Sequence, residues 1–377
     1  MNKSKLNKSS MLLFDKQFFY LVLSLVVVGL IFVADISAPQ ALNFFNDKFH
    51  FLKSQIIAAF IGVIIMYLVS FINYSFYKKI ASPLFVLSTL LLILVFIPGL
   101  SYEALGARRW INIGSLNFQP SEVVKLALAI YLAKLADLGK KPIAFFVPVV
   151  VVVGLIMLQP DLGTTLVISV MALSQIFVSG IPILYFLGSL VVGLIGVISL
   201  ILISPYRRDR LMTFFENTVD PLGKSYHIRQ VLLALGSGGL FGVGLGQSRQ
   251  KYLFLPEASS DSIFAAIAEE LGFLGSFVLI LIFAFFVYKA FMIAKSAPDM
   301  FAKILAVGIS AWIGGQIIIN ISSMVALSPL TGIPLPFFSY GGTSLVMVLL
   351  GCGILLNISR YGTKKVVDHR KSRRYYS

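Results

Sequence analysis

Apolar windows of membrane-spanning length recur along almost the whole chain, and this recurrence limits the fold more than any other feature. A span needs about 20 apolar residues, within a range of about 17–25. Ten windows qualify: 17–37, 53–73, 82–99, 121–137, 143–159, 162–180, 183–204, 262–288, 302–325 and 342–358. In lipid every backbone N–H and C=O needs a partner, so such windows are read as helices. The residues are 58% hydrophobic and 12% charged, against about 45–50% and about 25% in a soluble domain. The expectation is an all-α polytopic membrane protein of about ten spans. It is one domain over 1–377, with a helical bundle over 16–358, a large extracytoplasmic loop at 205–261 between spans seven and eight, and a tail at 359–377.

An even number of spans puts both termini on one side. Lys and Arg on short loops mark the cytoplasmic side. Lys3, Lys5, Lys8 and Lys16, then Lys78 and Lys79, Lys140 and Lys141, Lys289 and Lys295, and the basic tail all fall on one face if both termini are cytoplasmic. The tail, "RYGTKKVVDHRKSRRYYS", is expected to be disordered and drawn to anionic lipid. The first window has no small-residue cleavage site and is expected to stay as a helix. The single Cys352 excludes an intramolecular disulfide, and His50, His227 and His369 lack metal-ligand spacing, so no metal ligands are expected.

The opposite face breaks the charge rule. It carries Arg108 and Arg109, then Arg207, Arg208 and Arg210, then Lys224, Arg229, Arg249 and Lys251. A guanidinium fork matches phosphate oxygens in pairs. One such arginine is explained by headgroup anchoring; the set favours an anionic ligand, and its location argues against nucleic acid.

Other polar residues stand inside or beside apolar windows. Ser121 follows Pro120 and reads as a helix cap. Glu122 and Lys125 share a helix face, either as a structural pair or as a cavity lining. Asp161 reads as the cap of the following helix, with Gly163 in the turn. Gln316 and Asn320 face one way, joining helices or lining a cavity. "LSPLTGIPLPFFSYGGTS" cannot be a regular helix and must be buried in protein or line a cavity. "GSGGLFGVGLGQSRQK" has no phosphate-loop ending, and its glycines suit a tight re-entrant or interfacial fold. Asp261 stands where a polar loop becomes an apolar helix, as a cap or as a chemical group. Glu269 would lie about 12 Å deeper on nearly the same face.

Several of these segments, in this order, resemble the SEDS family (shape, elongation, division and sporulation), whose members are peptidoglycan polymerases: "GARRWINIG", "FQPSEVVKLALAIYLA", "QPDLGTT", "DPLGKSYH", "GSGGLFGVGLGQSRQKYLFLPEASSDSIFAAIAEELGFLGS" and "SPLTGIPLPFFSYGGTS". "GVGLGQSRQKYLFLPEA" is similar to the FtsW branch, with a sporulation paralogue nearly alike. The resemblance implies polymerisation of lipid II into β-1,4 glycan strands outside the bacterial cytoplasmic membrane, in cell division. It places the family's essential aspartate on Asp261. Relatives commonly read His-Thr before that aspartate and Phe after it, where this chain has Ser259, Ser260 and Ser262.

The resemblance implies substrate contacts at Arg108, Arg109, Glu122, Lys125, Arg207, Gln247, Lys251 and Glu257. It implies a cavity lined by Glu269, Gln316, Asn320, Pro336, Ser339 and Gly341. No cofactor is required, although a divalent cation, magnesium or manganese, would help to hold the pyrophosphate. The partners implied are lipid II and the nascent strand, a class B penicillin-binding protein and other division-complex membrane proteins. Two rival functions fit the same composition: a lipid II flippase and a non-catalytic division scaffold.

Overall fold

The computed structural model describes residues 14–97, 99–104, 107–113, 116–203, 208, 212, 214 and 225–375. The chain runs α1 (Lys16–Ile36), α2 (Ala38–Phe45), α3 (His50–Val69), α4 (Ser75–Leu94), β1 (Ser101–Ala104), β2 (Ala107–Ile113) and β3 (Leu116–Phe118). It continues through α5 (Pro120–Asp137), α6 (Ile143–Leu158), α7 (Leu162–Val178) and α8 (Ile183–Ile203), then α9 (Tyr226–Gly238), α10 (Ile263–Lys295), α11 (Met300–Met324) and α12 (Gly342–Tyr375).

Each apolar window lies on a helix. Among the described residues six helices are long and apolar enough to cross a membrane: α1, α3, α4, α10, α11 and Gly342–Gly362 of α12. The apolar helices α6, α7 and Ile183–Gly196 of α8 are shorter, and α5 carries Glu122, Lys125, Lys134 and Asp137. This is a multi-pass membrane protein. Its inside and outside follow from burial. In α11, 83% of the apolar window is buried, against 22% in α3 and in α4. Thus α11 is central, while α3 and α4 turn most of their surface outward. Gln175 on α7 ties the centre together, donating to Ala129 O of α5 at 2.9 Å and Ile304 O of α11 at 3.1 Å.

Four expectations are corrected. The molecule is not all-α, because β1, β2 and β3 form an antiparallel sheet in order within the loop between α4 and α5. Its register pairs Ser101 with Ile111 and Ile111 with Phe118, which satisfies backbone groups that a plain loop would leave open. Ser121 does not cap α5. Pro120 takes the first helical position, where its missing N–H costs nothing, so the cap position falls on Gln119. Lys289 and Lys295 lie on α10 rather than in a loop. The tail is helical through Tyr375. Asp161 does cap α7, accepting from Thr164 N at 3.0 Å.

The eighth window is a broken helix. Gly272 has φ 68 and ψ −171, outside any helical conformation. The break frees backbone groups, and the glycine-rich segment takes them up. Val243 N and Gly244 N donate to Glu269 O and Glu270 O at 3.0 and 3.1 Å. Phe273 N and Leu274 N donate to Gly239 O and Leu240 O at 2.9 and 3.1 Å. Only glycine permits this approach: a Cβ on Gly242 would lie 2.1 Å from Glu270 O.

Candidate functional site

Asp261 sits half-buried in the turn that leads into α10. The N-cap position of α10 falls one residue later, on Ser262. The turn closes when Ser260 N and Ser262 N both donate to Glu257 O at 3.1 Å. The proline- and glycine-rich segment between α11 and α12 then holds it from outside. Asn320 Nδ2 on α11 donates to both Asp261 O, at 2.8 Å, and Ile333 O, at 2.7 Å. The Ser339 hydroxyl donates to Ser260 O and accepts from Leu335 N, and Tyr340 N donates to Ser259 O at 2.8 Å. Gly332, with φ 69, lies under the carboxylate: a Cβ there would stand 3.7 Å from Asp261 Oδ2.

The basic residues divide. Arg109 donates to Pro160 O at 2.6 Å and Gln159 O at 3.3 Å, and lies 3.9 Å from Asp161 Oδ2. It therefore clamps the α6–α7 turn. That turn adjoins the site, because a Cβ on Gly163 would meet Thr331 O at 2.7 Å, next to Gly332. Arg108 is exposed and lies in β2 at a bulge, where Glu103 pairs with Arg108 and Tyr102 with Trp110, leaving Arg109 unpaired in the ladder. Arg207 and Lys224 lie outside the described residues.

Lys125 and Glu122 are each 2% exposed and paired at 2.8 Å. The ammonium also donates to Gln316 Oε1 at 3.1 Å and lies 5.1 Å from the Trp312 ring centroid. Gln316 donates in turn to Pro334 O at 2.9 Å. The pair thus backs the same irregular segment that holds Asp261. Buried oxygens without a hydrogen-bond partner remain on Glu122, Asn320 and Thr331.

Lys251, implied at the substrate, is elsewhere engaged. It is 3% exposed and lies between Asp35 Oδ1 at 2.8 Å and Glu270 Oε1 at 2.9 Å. Burial pulls its pKa down, but the two carboxylates outweigh burial and hold it above the ordinary lysine value. Glu269 is also fully committed, accepting from Ser237 and Ser248 hydroxyls and from Arg249 N and Gln250 N. Lys251 and Glu269 fasten the glycine-rich segment to the broken helix. Gln247 and Glu257 are exposed, Pro336 is buried, and Gly341 N donates to Gln55 Oε1 at 3.1 Å.

Sequence reasoning missed four partners. Gln55 on α3 also donates to Ser339 O, Gln40 accepts from Ser259, and His227 Nε2 lies 2.8 Å from Ser262 Oγ. Asp35 completes the Lys251 pair. A signal existed for Asp35 and Gln55, because a polar side chain inside an apolar window is costly without a partner. Among the described residues no group of three or more His, Cys, Asp or Glu could hold a metal ion.

Broken helix, irregular re-entry segment and converging polar groups at one end define a multi-pass membrane protein with a built polar site beside its transmembrane core. The model of the cell cycle protein family, named for FtsW, RodA and SpoVE, matches residues 15–364, and the chain belongs to that family. It is 43% identical to stage V sporulation protein E of Bacillus subtilis over 349 residues, 90% of this chain and 95% of that protein. It is 38% identical to the probable peptidoglycan glycosyltransferase FtsW of Trichlorobacter lovleyi over 354 residues, 92% and 93% of the two chains. Among solved structures it is similar to a chain of a peptidoglycan synthase complex that coordinates polymerization and crosslinking, with TM-score 0.77 and 29% identity over 93% of this chain and 99% of that one. It is also similar to the rod shape determining protein RodA of Thermus thermophilus, with TM-score 0.68 and 29% identity over 93% and 97%.

Proposed function

We propose that this protein is a peptidoglycan glycosyltransferase that polymerises lipid II into β-1,4 glycan strands, with Asp261 as the general base. The observation that carries this reading is the Asp261 turn, held by Asn320, Ser339 and Tyr340 so that its carboxylate stands over Gly332. The names of the relatives support the activity. The chain crosses the bacterial cytoplasmic membrane ten times with both termini inside, and the site faces outward. It acts in cell division.

Asp261 accepts the proton of the 4-hydroxyl of the acceptor GlcNAc, a step worth roughly 10²–10⁴-fold from a well-placed base. The freed oxygen attacks the anomeric carbon of the strand's MurNAc from the face opposite its pyrophosphate. The bond to pyrophosphate breaks, and a single displacement turns an α-linked donor into a β-linkage. Pyrophosphate leaves without a proton, so no second carboxylate is needed. Its charge meets Arg108 and the N–H groups of Arg109 that the α6–α7 turn does not use. Glu122 and Lys125 act as a pair that fixes the floor. The magnesium or manganese ion finds no three-ligand cage among the described residues, and no step here runs through one. A class B penicillin-binding protein is the proposed partner, cross-linking the strands as they form.

The test is polymerisation of lipid II by the purified full chain with that partner, read as glycan strands on a gel. Strands from wild type and none from Asp261→Asn support the reading. Equal strands from both, or none from wild type, overturn it and return the flippase or the scaffold.

A further inference from the structure

A general base that takes a proton at every bond must lose it before the next one. In this protein Asp261 is half-buried, and its own substrate would cover its open side. We propose, resting on the reading of Asp261 as the base, that Ser260 and Glu257 carry that proton from Asp261 to water.

Three observations carry the proposal. The Ser260 hydroxyl lies 3.3 Å from Asp261 Oδ1 and 2.7 Å from Glu257 Oε2, so it touches both carboxylates. Glu257 is exposed, so the chain of groups ends in solvent. Glu257 also has φ 50, a left-handed conformation that a side-chain-bearing residue rarely adopts. The turn holds it there by two backbone hydrogen bonds to its carbonyl, and its carboxylate returns to Ser260. The two oxygens of Asp261 are thereby divided. Oδ2 lies on the side of Gly332, and Oδ1 faces Ser260.

The transfer balances. The protonated Asp261 donates its proton to Ser260 Oγ as the Ser260 proton passes to Glu257 Oε2. Asp261 becomes a carboxylate again, Ser260 remains a neutral alcohol, and Glu257 becomes a carboxylic acid. Glu257 is exposed, so it passes the proton on to solvent. Ser260 and Glu257 are positioning residues: they act through Asp261 and need not touch the reacting atoms.

The test measures initial rates of lipid II polymerisation by the purified full chain at fixed pH and ionic strength, across rising imidazole concentrations. Wild type is expected to be insensitive to imidazole. Ser260→Ala and Glu257→Gln are each expected to lower kcat roughly tenfold with little change in KM, a part of the ~10²–10⁴ that the base supplies. Imidazole, a mobile proton carrier, restores both. Ser260→Thr, which keeps the hydroxyl, recovers most of the rate. Wild-type rates in Ser260→Ala, equal loss in Ser260→Thr and Ser260→Ala, or no rescue of either variant by imidazole would each overturn the relay. These outcomes leave the reading of Asp261 intact, which fails only if Asp261→Asn still polymerises or wild type does not.

Discussion

The two ends of the bundle are fastened in different ways. At the end that carries the termini, side chains on regular helices and their short turns make the joints. Asn357 on α12 accepts from Tyr74 N at 2.9 Å and donates to Ser70 O at 2.8 Å. Arg360 donates to the same carbonyl at 3.0 Å, and the Tyr74 hydroxyl donates to Asp299 at 2.6 Å. Lys289 reaches Asp15, the cap of α1, at 3.2 Å. At the Asp261 end the joints are made largely by broken backbone: the interrupted α10, the irregular strip before α12, and left-handed residues at Glu257 and Phe337. Backbone strain of that kind collects where surrounding structure fixes it for a purpose. One end keeps the helices together, and the other trades regularity for a shaped site.

The largest effect expected on this contrast comes from Asp261→Asn. Polymerisation should fall by roughly 10²–10⁴-fold, while thermal unfolding stays near wild type, because Asn320 binds the Asp261 backbone rather than its side chain. A large drop in melting temperature would show that the carboxylate is a structural element after all.

Lys251→Met should cost stability, by about 3–5 kcal/mol, because it strands the buried Glu270 carboxylate and the half-buried Asp35. The sign of its pH dependence follows from a pKa held above the ordinary value. The contribution is complete below about pH 10.4, the unfolded lysine value, and is lost as pH rises through the higher folded one. The lysine's own contribution is therefore constant from pH 6 to 9, while the carboxylates stranded in the variant take up protons as pH falls, so the deficit should narrow toward acid. A deficit near zero at pH 9 would count against the pairing.

Gly272→Ala should destabilise by roughly 2–4 kcal/mol, since it adds a left-handed penalty and a forced backbone shift. Its Cβ would meet Gly242 N at 2.2 Å. Limited proteolysis should then cut within 239–251 first; unchanged protection there would mean that the break tolerates a side chain.

Asn357→Ala, at the other end, is the mildest. Losing its two hydrogen bonds should cost about 1–3 kcal/mol and leave the polymerisation rate per folded molecule unchanged. A fall in rate at unchanged stability would erase the division of labour between the ends.

Periodic physics was the readable part of this chain. Every apolar window overlaps a helix, the eighth a broken one, and Asp161 capped the helix it preceded, because both features depend on neighbours in sequence. Gln316 and Asn320 were recognised as one polar face, but what they hold, Pro334, Ile333 and Asp261, lies on other elements. Lys251 was placed with phosphate because its nearest acid in space, Asp35, stands at the far end of the sequence. The sheet at 101–118 was hidden because its strands are short and lack long alternation. The break at Gly272 was hidden because a single glycine inside an apolar run also fits an intact helix. Tertiary partners decided each of these, and local pattern carries little trace of them.

The pair of hydrogen bonds that Asn320 donates to Asp261 O and Ile333 O has a consequence for how the protein is made. Asp261 leaves the ribosome well before Asn320, Ser339 and Tyr340. Until the last two helices are inserted, its turn lacks Asn320, Ser339 and Tyr340 and has only Gln40, His227 and its own backbone bonds. A chain cut short in synthesis, or one whose final helices fail to insert, keeps the aspartate but not its geometry. On the reading of Asp261 as the base, a half-made copy in the membrane would be inert.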